Sequence, residues 1–163
     1  MDDNLADIRK RSISLMQNTA KTLDHIAQGV SQQQATTLRD RNDGDKGWTV
    51  LEVLCHLRDF DGFFRGRAIR ILNEETPQLI RYDHEALAIE RNYNGQTLSA
   101  VLTELRESRA ETVKFFKELT PEGWERAGVH PERGHFTMTD AALQVGMHDV
   151  THLEQITRIL AEG

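Results

Sequence analysis

Two histidines stand four residues apart in HDVTHLEQITRIL, residues 148–160, and a third, His56, lies in WTVLEVLCHLRDF. Imidazole is a common metal ligand and a general base near neutral pH, so the direction these rings face decides what they can do. At about 100° per residue, His148 and His152 fall about 40° apart on a helix. Ala141, Val145, Ile156 and Ile159 share their arc, while Glu154, Thr157 and Arg158 lie opposite. His56 sits between Val53 and Phe60 on the apolar row of its own segment. Inward imidazoles must find partners for their nitrogens. Three of them, from the inner faces of two helices, supply three positions of a tetrahedral ion and leave the fourth for water or substrate. That is the pattern of catalytic rather than structural zinc. Nickel, iron and manganese also accept imidazole. A single histidine on an apolar face is more often satisfied by hydrogen bonds within a core. The spaced pair with a third inward ring shifts the balance to one divalent transition metal held by His56, His148 and His152.

The HDVTH spacing is that of the metalloprotease HExxH helix, but Asp149 stands where a glutamate general base is required. Its carboxylate is one methylene shorter, and no strand is available to align a peptide. A protease of that type is rejected.

The elements that carry these rings read as helices. Leu5, Ile8, Ser12, Leu15, Met16, Thr19, Leu23 and Ile26 repeat at spacings of three and four, which predicts a helix from roughly 5 to 28 that stops at Gly29. The polar stretch SQQQATTLRDRNDGDKG follows. A second helix starts at WTVLE, where Thr49 and Glu52 form a capping-box pattern, and ends near Asn73 before Pro77. Residues 74–96 offer a short helix in EALAIERN, punctuated by NYNGQ. The third long helix begins at Leu98. TPEGW reads as one turn with proline at its start, and HPERGHF as a loop. The fourth helix runs from Thr137 or Thr139 to the C-terminus. No strand-like alternation of useful length appears. The expectation is one all-α domain over residues 1–163, a four-helix bundle with connectors too long for the simplest up-and-down order.

Composition narrows the function. The 163 residues carry 38% apolar and 28% charged side chains and a net charge of −6, enough chain to bury a core. Scattered Lys and Arg give no basic face for nucleic acid, and no apolar run suits a membrane span. The N-terminal MDDNLADIRKRS lacks the apolar core of a signal peptide, and the single cysteine, Cys55, agrees with a reducing cytoplasm.

Other residues carry weaker signals. Asp59 is read as a solvated helix residue that could alternatively orient a ligand. Asp149 either supports a ligand or pairs with a neighbouring helix. Glu52 is consumed by capping. Arg67, on the His56 row, could meet an anionic substrate, though an inter-helix salt bridge is the commoner outcome. Cys55 reads as a small buried apolar residue. His84 lies in the connector that could cover the site, and His25, His130 and His135 read as surface or loop residues. Trp48 and Trp124 read as packing anchors.

GWTVLEVLCHLRDFD, NYNGQTLSAVLTELRESRAETVKFFKEL and HFTMTDAALQVGMHDVTHLEQI, in that order, resemble the DinB/YfiT-like family of candidate metalloenzymes over nearly the whole chain. The resemblance implies a bundle in up-down-down-up order, often dimeric, with a divalent metal (zinc, nickel, iron or manganese) on His56, His148 and His152. Family members include thiol-dependent transferases and isomerases that use bacillithiol, mycothiol or glutathione. An open three-His metal can lower the pKa of a coordinated water, as in a hydrolase, or deprotonate a thiol, as in a thiol transferase. With no second protein base evident, the first expectation is a thiol-dependent S-transferase acting on a small molecule. A metal-dependent hydrolase and a non-catalytic metal-binding stress-response module are the alternatives.

Overall fold

The computed structural model describes residues 3–163, apart from the side chains at 45 and 46. In chain order the helices are α1 (Asp3–Gln28), α2 (Gln32–Thr37), α3 (Val50–Asn73), α4 (His84–Glu90), α5 (Leu98–Lys117), α6 (Pro121–Trp124) and α7 (Met138–Glu162). The four long ones start where local chemistry permits. Thr49 accepts from the Glu52 amide at 3.2 Å while the Glu52 carboxylate accepts from the Thr49 amide at 2.7 Å. Thr137 and Asp140 make the same reciprocal box at the head of α7, at 3.1 and 2.9 Å. Each box satisfies donors that the first turn would otherwise orphan.

Helix directions follow from pairs of contacts. Arg58 reaches Glu104, Arg109 reaches Asp61 and Arg65 reaches Thr112, so numbers rise together and α3 runs parallel to α5. Arg9 meets Thr139 and Thr19 meets Asp149, so α1 runs parallel to α7. His56 and Phe64 both lie against His148, with His152 beside His56. Asp24 meets Arg106 while Met16 meets Arg109, which makes α1 and α5 antiparallel. The order is up-down-down-up. Parallel neighbours need a connector that travels the length of the bundle, which is why the segment between α3 and α5 is long.

Two apolar clusters fill the bundle. One gathers Leu51, Leu54, Leu57, Tyr93, Leu102 and Ile156; the other gathers Met16, Phe64, Ile71, Phe116, Met138 and Val145. On every long helix the residues between them are buried and polar: Thr19, Asp61, Arg109, Thr112 and Asp149. The candidate site opens beside that layer.

The structure differs from the sequence expectation between residues 127 and 137. HPERGHF is not a loop: β1 (Ala127–His130) and β2 (Gly134–Thr137) form an antiparallel hairpin, turned at Gly134 with φ of 71°. The left-handed backbone there suits glycine. Val129 also pairs with the post-α3 connector, its amide donating to Pro77 at 2.8 Å and its carbonyl accepting from Leu79 at 2.9 Å. Four-residue strands show too little alternation to be read locally; their pairing depends on a segment some fifty residues away.

Candidate metal centre

His56 from α3 and His148 and His152 from α7 form a near-equilateral set, with ring centroids 4.9, 4.7 and 4.6 Å apart. The Nε2 atoms of His56 and His148 are 2.9 Å apart, and one ring nitrogen from each residue lies within 4.8 Å of the others. Tetrahedral ligands at about 2.0–2.1 Å from zinc stand roughly 3.3 Å from each other, so the cluster is on the right scale for one ion.

The third ring is held from behind. His152 Nδ1 lies 2.8 Å from Gln155 Oε1, and the Gln155 amide donates to Asp40 Oδ2 at 2.9 Å. Asp40 is paired with Arg158, at 2.5 Å. Because the Gln155 amide nitrogen is committed to a carboxylate, its oxygen must accept from His152. That fixes the tautomer with Nε2 unprotonated and directed away from Gln155, the arrangement that orients a metal ligand. The same pairing holds the Asp40 carboxyl down at about 2, with the Arg158 guanidinium as the main cause.

Apolar and aromatic walls complete the setting. Phe60 lies 4.2 Å from the His56 ring and stacks on His148 at 5.7 Å, Phe64 meets His148 edge-on, and Trp48 lies against His56. Burial pushes the His56 imidazole down to about 2, with the neighbouring His148 and His152 adding to it, and pushes His148 down to about 3. His152 is lowered by burial too, against the opposing pull of Gln155. All three rings are therefore neutral at physiological pH, the form that binds metal. His56 Nδ1 is buried with no hydrogen-bond partner among the described residues. Neutral imidazoles converging in a cluster without carboxylates fit a divalent transition metal.

The cluster faces a cavity of about 800 Å³, whose walls include Trp48, Phe60, Tyr82, His84, Glu85 and Gln144. The connector carrying Tyr82 and His84 and the hairpin turn contribute to its walls. His84 lines it, with its ring 6.1 Å from His56. Arg67 lines it too but makes no inter-helix salt bridge among the described residues: it donates to the Ile80 carbonyl and lies 3.3 Å from His130. His130 is buried rather than superficial, because the hairpin folds it inward.

Asp59 is not solvated. Its side chain is 6% exposed and accepts from Tyr93, Arg58 and Arg91. Asp149 points away from the rings and is locked by Arg109 at 2.6 and 2.9 Å and by Thr19, so it pairs with neighbouring helices and is no general base. Cys55 is buried as expected, and Glu52 serves its cap. Sequence reasoning missed Gln155 and Asp40. Gln155 follows His152 by three residues and faces the same side, so spacing could have found it; Asp40 reaches the site only through tertiary folding.

The sequence model of the DinB superfamily matches residues 16–156. YfiT of Bacillus subtilis (strain 168), named as a candidate metal-dependent hydrolase, is 27% identical over 120 residues, covering 70% of this chain and 66% of its own. OB0782 of Oceanobacillus iheyensis, named likewise, is 27% identical over 113 residues, covering 69% and 65%. The chain thus spans slightly under two thirds of the length of these curated relatives. The solved structure of Bacillus subtilis YfiT, with its unusual four-helix bundle topology, superposes with a TM-score of 0.84 at 24% identity, covering 94% of this chain and 86% of that one. A mycothiol-dependent maleylpyruvate isomerase superposes with a TM-score of 0.75 at 11% identity, covering 91% and 60%. At such identities the structural likenesses establish the fold: an all-α four-helix bundle with a small two-stranded sheet.

Proposed function

Because the chain belongs to the DinB superfamily, we propose that His56, His148 and His152 hold one divalent transition metal and that the protein is a metal-dependent enzyme acting on a small molecule bound in the adjoining cavity. The observation that carries this reading is the convergence of three neutral imidazoles, one buried and two half-buried, on that cavity, with one ring nitrogen of each within 4.8 Å of the others. When bound, the metal supplies Lewis acidity that lowers the pKa of a coordinating thiol or water. The chain does the rest. Gln155 holds the His152 tautomer, Phe60 and Phe64 wall the inner side of the site, and His84 stands at the cavity wall.

The reaction we favour is thiol-dependent S-transfer. With Asp149 locked by Arg109, the HDVTH helix offers no carboxylate base, and thiol chemistry needs none beyond the metal. Hydrolysis is the second reading, supported by the names of the two curated relatives.

The deciding experiment loads chelator-treated protein with Zn²⁺, Ni²⁺ or Mn²⁺ and follows metal stoichiometry, then turnover of a chromogenic electrophile with bacillithiol, mycothiol or glutathione, alongside a chromogenic ester. One metal per chain and a rate above the thiol-only background support the transferase; ester turnover alone selects the hydrolase. No stoichiometric metal, or metal retained by His148→Ala at wild-type affinity, ends the proposal.

A further inference from the structure

Arg67 shares the histidines' cavity but none of the bundle's ion pairs. Among the described residues three arginines are buried, Arg9, Arg67 and Arg109. Arg9 meets Glu125 at 2.9 Å and Arg109 meets Asp61 and Asp149 at 2.6 Å each. Arg67 is 7% exposed, and among the described residues it meets no carboxylate. Its Nε and Nη2 donate to the Ile80 carbonyl at 3.2 and 2.5 Å, and its Cζ lies 5.4 Å from the Tyr82 ring centre. A carbonyl and a ring face soften a buried charge without neutralising it.

The neighbouring His130 sharpens the point. It is 6% exposed and meets a donor at each ring nitrogen: the Glu132 amide at Nδ1, 3.2 Å, and Arg67 Nη1 at Nε2, 3.3 Å. A neutral imidazole accepts at only one nitrogen. Where the backbone amide takes Nδ1, Nε2 carries hydrogen and stands beside a guanidinium N–H, two donors with no acceptor between them. Arg133 and Arg81 line the same end of the cavity. The nearby carboxylate, Glu132, is exposed and stands 3.5 Å from Arg81.

His56 and Arg67 are eleven residues apart on α3, about 16 Å of helical rise. Phe60 and Phe64 occupy the turns between, with the Tyr82 ring 6.2 Å from Phe60 and Arg67 Cζ 5.9 Å from the Phe64 ring centre. We propose that Arg67, with His130 and Arg133, forms an anion subsite that takes the carboxylate or phosphate end of an elongated small-molecule substrate. The apolar middle of that substrate lies on Phe60, Phe64 and Tyr82, and its other end reaches the three histidines. This rests on the metal reading for the far end only; the anion subsite needs no metal.

The test uses the whole chain after chelation, so that its outcome is independent of the metal titration. Calorimetry compares 4-phenylbutyrate, 3-phenylpropyl phosphate and the neutral 4-phenylbutyramide, the two anions deciding between carboxylate and phosphate. At least one anion binds about tenfold more tightly than the amide, the scale of one charge-assisted hydrogen bond. Arg67→Gln abolishes the preference and Arg67→Lys keeps part of it. Arg133→Glu, at an exposed position, lowers anion affinity about threefold or more by charge alone, with amide binding unchanged; it decides the matter if Arg67→Gln does not fold. Equal binding of anions and amide to the wild type, no anion binding, or an anion preference that survives both Arg133→Glu and any folded Arg67→Gln overturns the proposal.

Discussion

Two buried polar clusters sit within a turn of each other in this bundle and are built on opposite logic. In the first, Arg109 donates to Asp61 and Asp149, while Thr19, Thr112 and Ser108 donate to the same carboxylates. Every charge there has its counter-charge, and four helices are tied together. In the second, three imidazoles from α3 and α7 face one another with no carboxylate among them, and His56 Nδ1 has no hydrogen-bond partner among the described residues. A buried polar group left unmet costs free energy, so a fold keeps it only where something else supplies the partner. The first cluster is complete in itself, and the second is the one our proposal assigns to a metal. His148 and Asp149, adjacent in sequence, fall on opposite sides of that division.

The sharpest way to break the contrast is Asp149→Ala. It leaves Asp61 as the counter-charge of Arg109 but removes two of the three hydrogen bonds that the guanidinium donates to carboxylates, and we expect a loss of about 3–5 kcal/mol in denaturant unfolding. A loss under about 1 kcal/mol would mean the layer is wetter than its burial implies.

Acid probes the other cluster. The folded pKa values of His56 and His148 lie below the unfolded value, so their contribution is complete above about pH 6.5 and is lost as pH falls through the window down to about 3. For metal-free protein at pH 5, each of these imidazoles should remove up to about 2 kcal/mol. Replacing both with glutamine should flatten that part of a stability profile followed by circular dichroism; an unchanged slope would place the acid sensitivity elsewhere.

Gln155→Ala separates orientation from ligation. It leaves all three imidazoles in place but frees the His152 tautomer, and should weaken metal binding about 10- to 100-fold in a competition titration. Wild-type affinity would remove Gln155 from the site.

The smallest effect tests whether the metal centre is needed for folding. Two apolar clusters fill the bundle without it, so chelation should lower the melting temperature by a few degrees and leave the helical signal intact. A random-coil spectrum after chelation would make the centre structural.

Much of this was legible in the chain. The 3.6-residue periodicity of the four long segments marks buried faces whatever they pack against, and Thr49 with Glu52 writes its helix start in purely local terms. The inward direction of His56, His148 and His152 follows from the same periodicity. Spacing on one helix could also have reached Gln155. The rest is long-range. Asp59 read as solvated because nothing nearby announces Tyr93, thirty-four residues on, whose hydroxyl it accepts. His130 read as superficial because the hairpin that buries it pairs with the connector at Pro77 and Leu79. Local sequence determined which residues face inward, since helix geometry alone sets that. Tertiary structure decided which inward groups meet a counter-charge and which are left to bind something else, because that depends on helices and connectors brought together across the bundle.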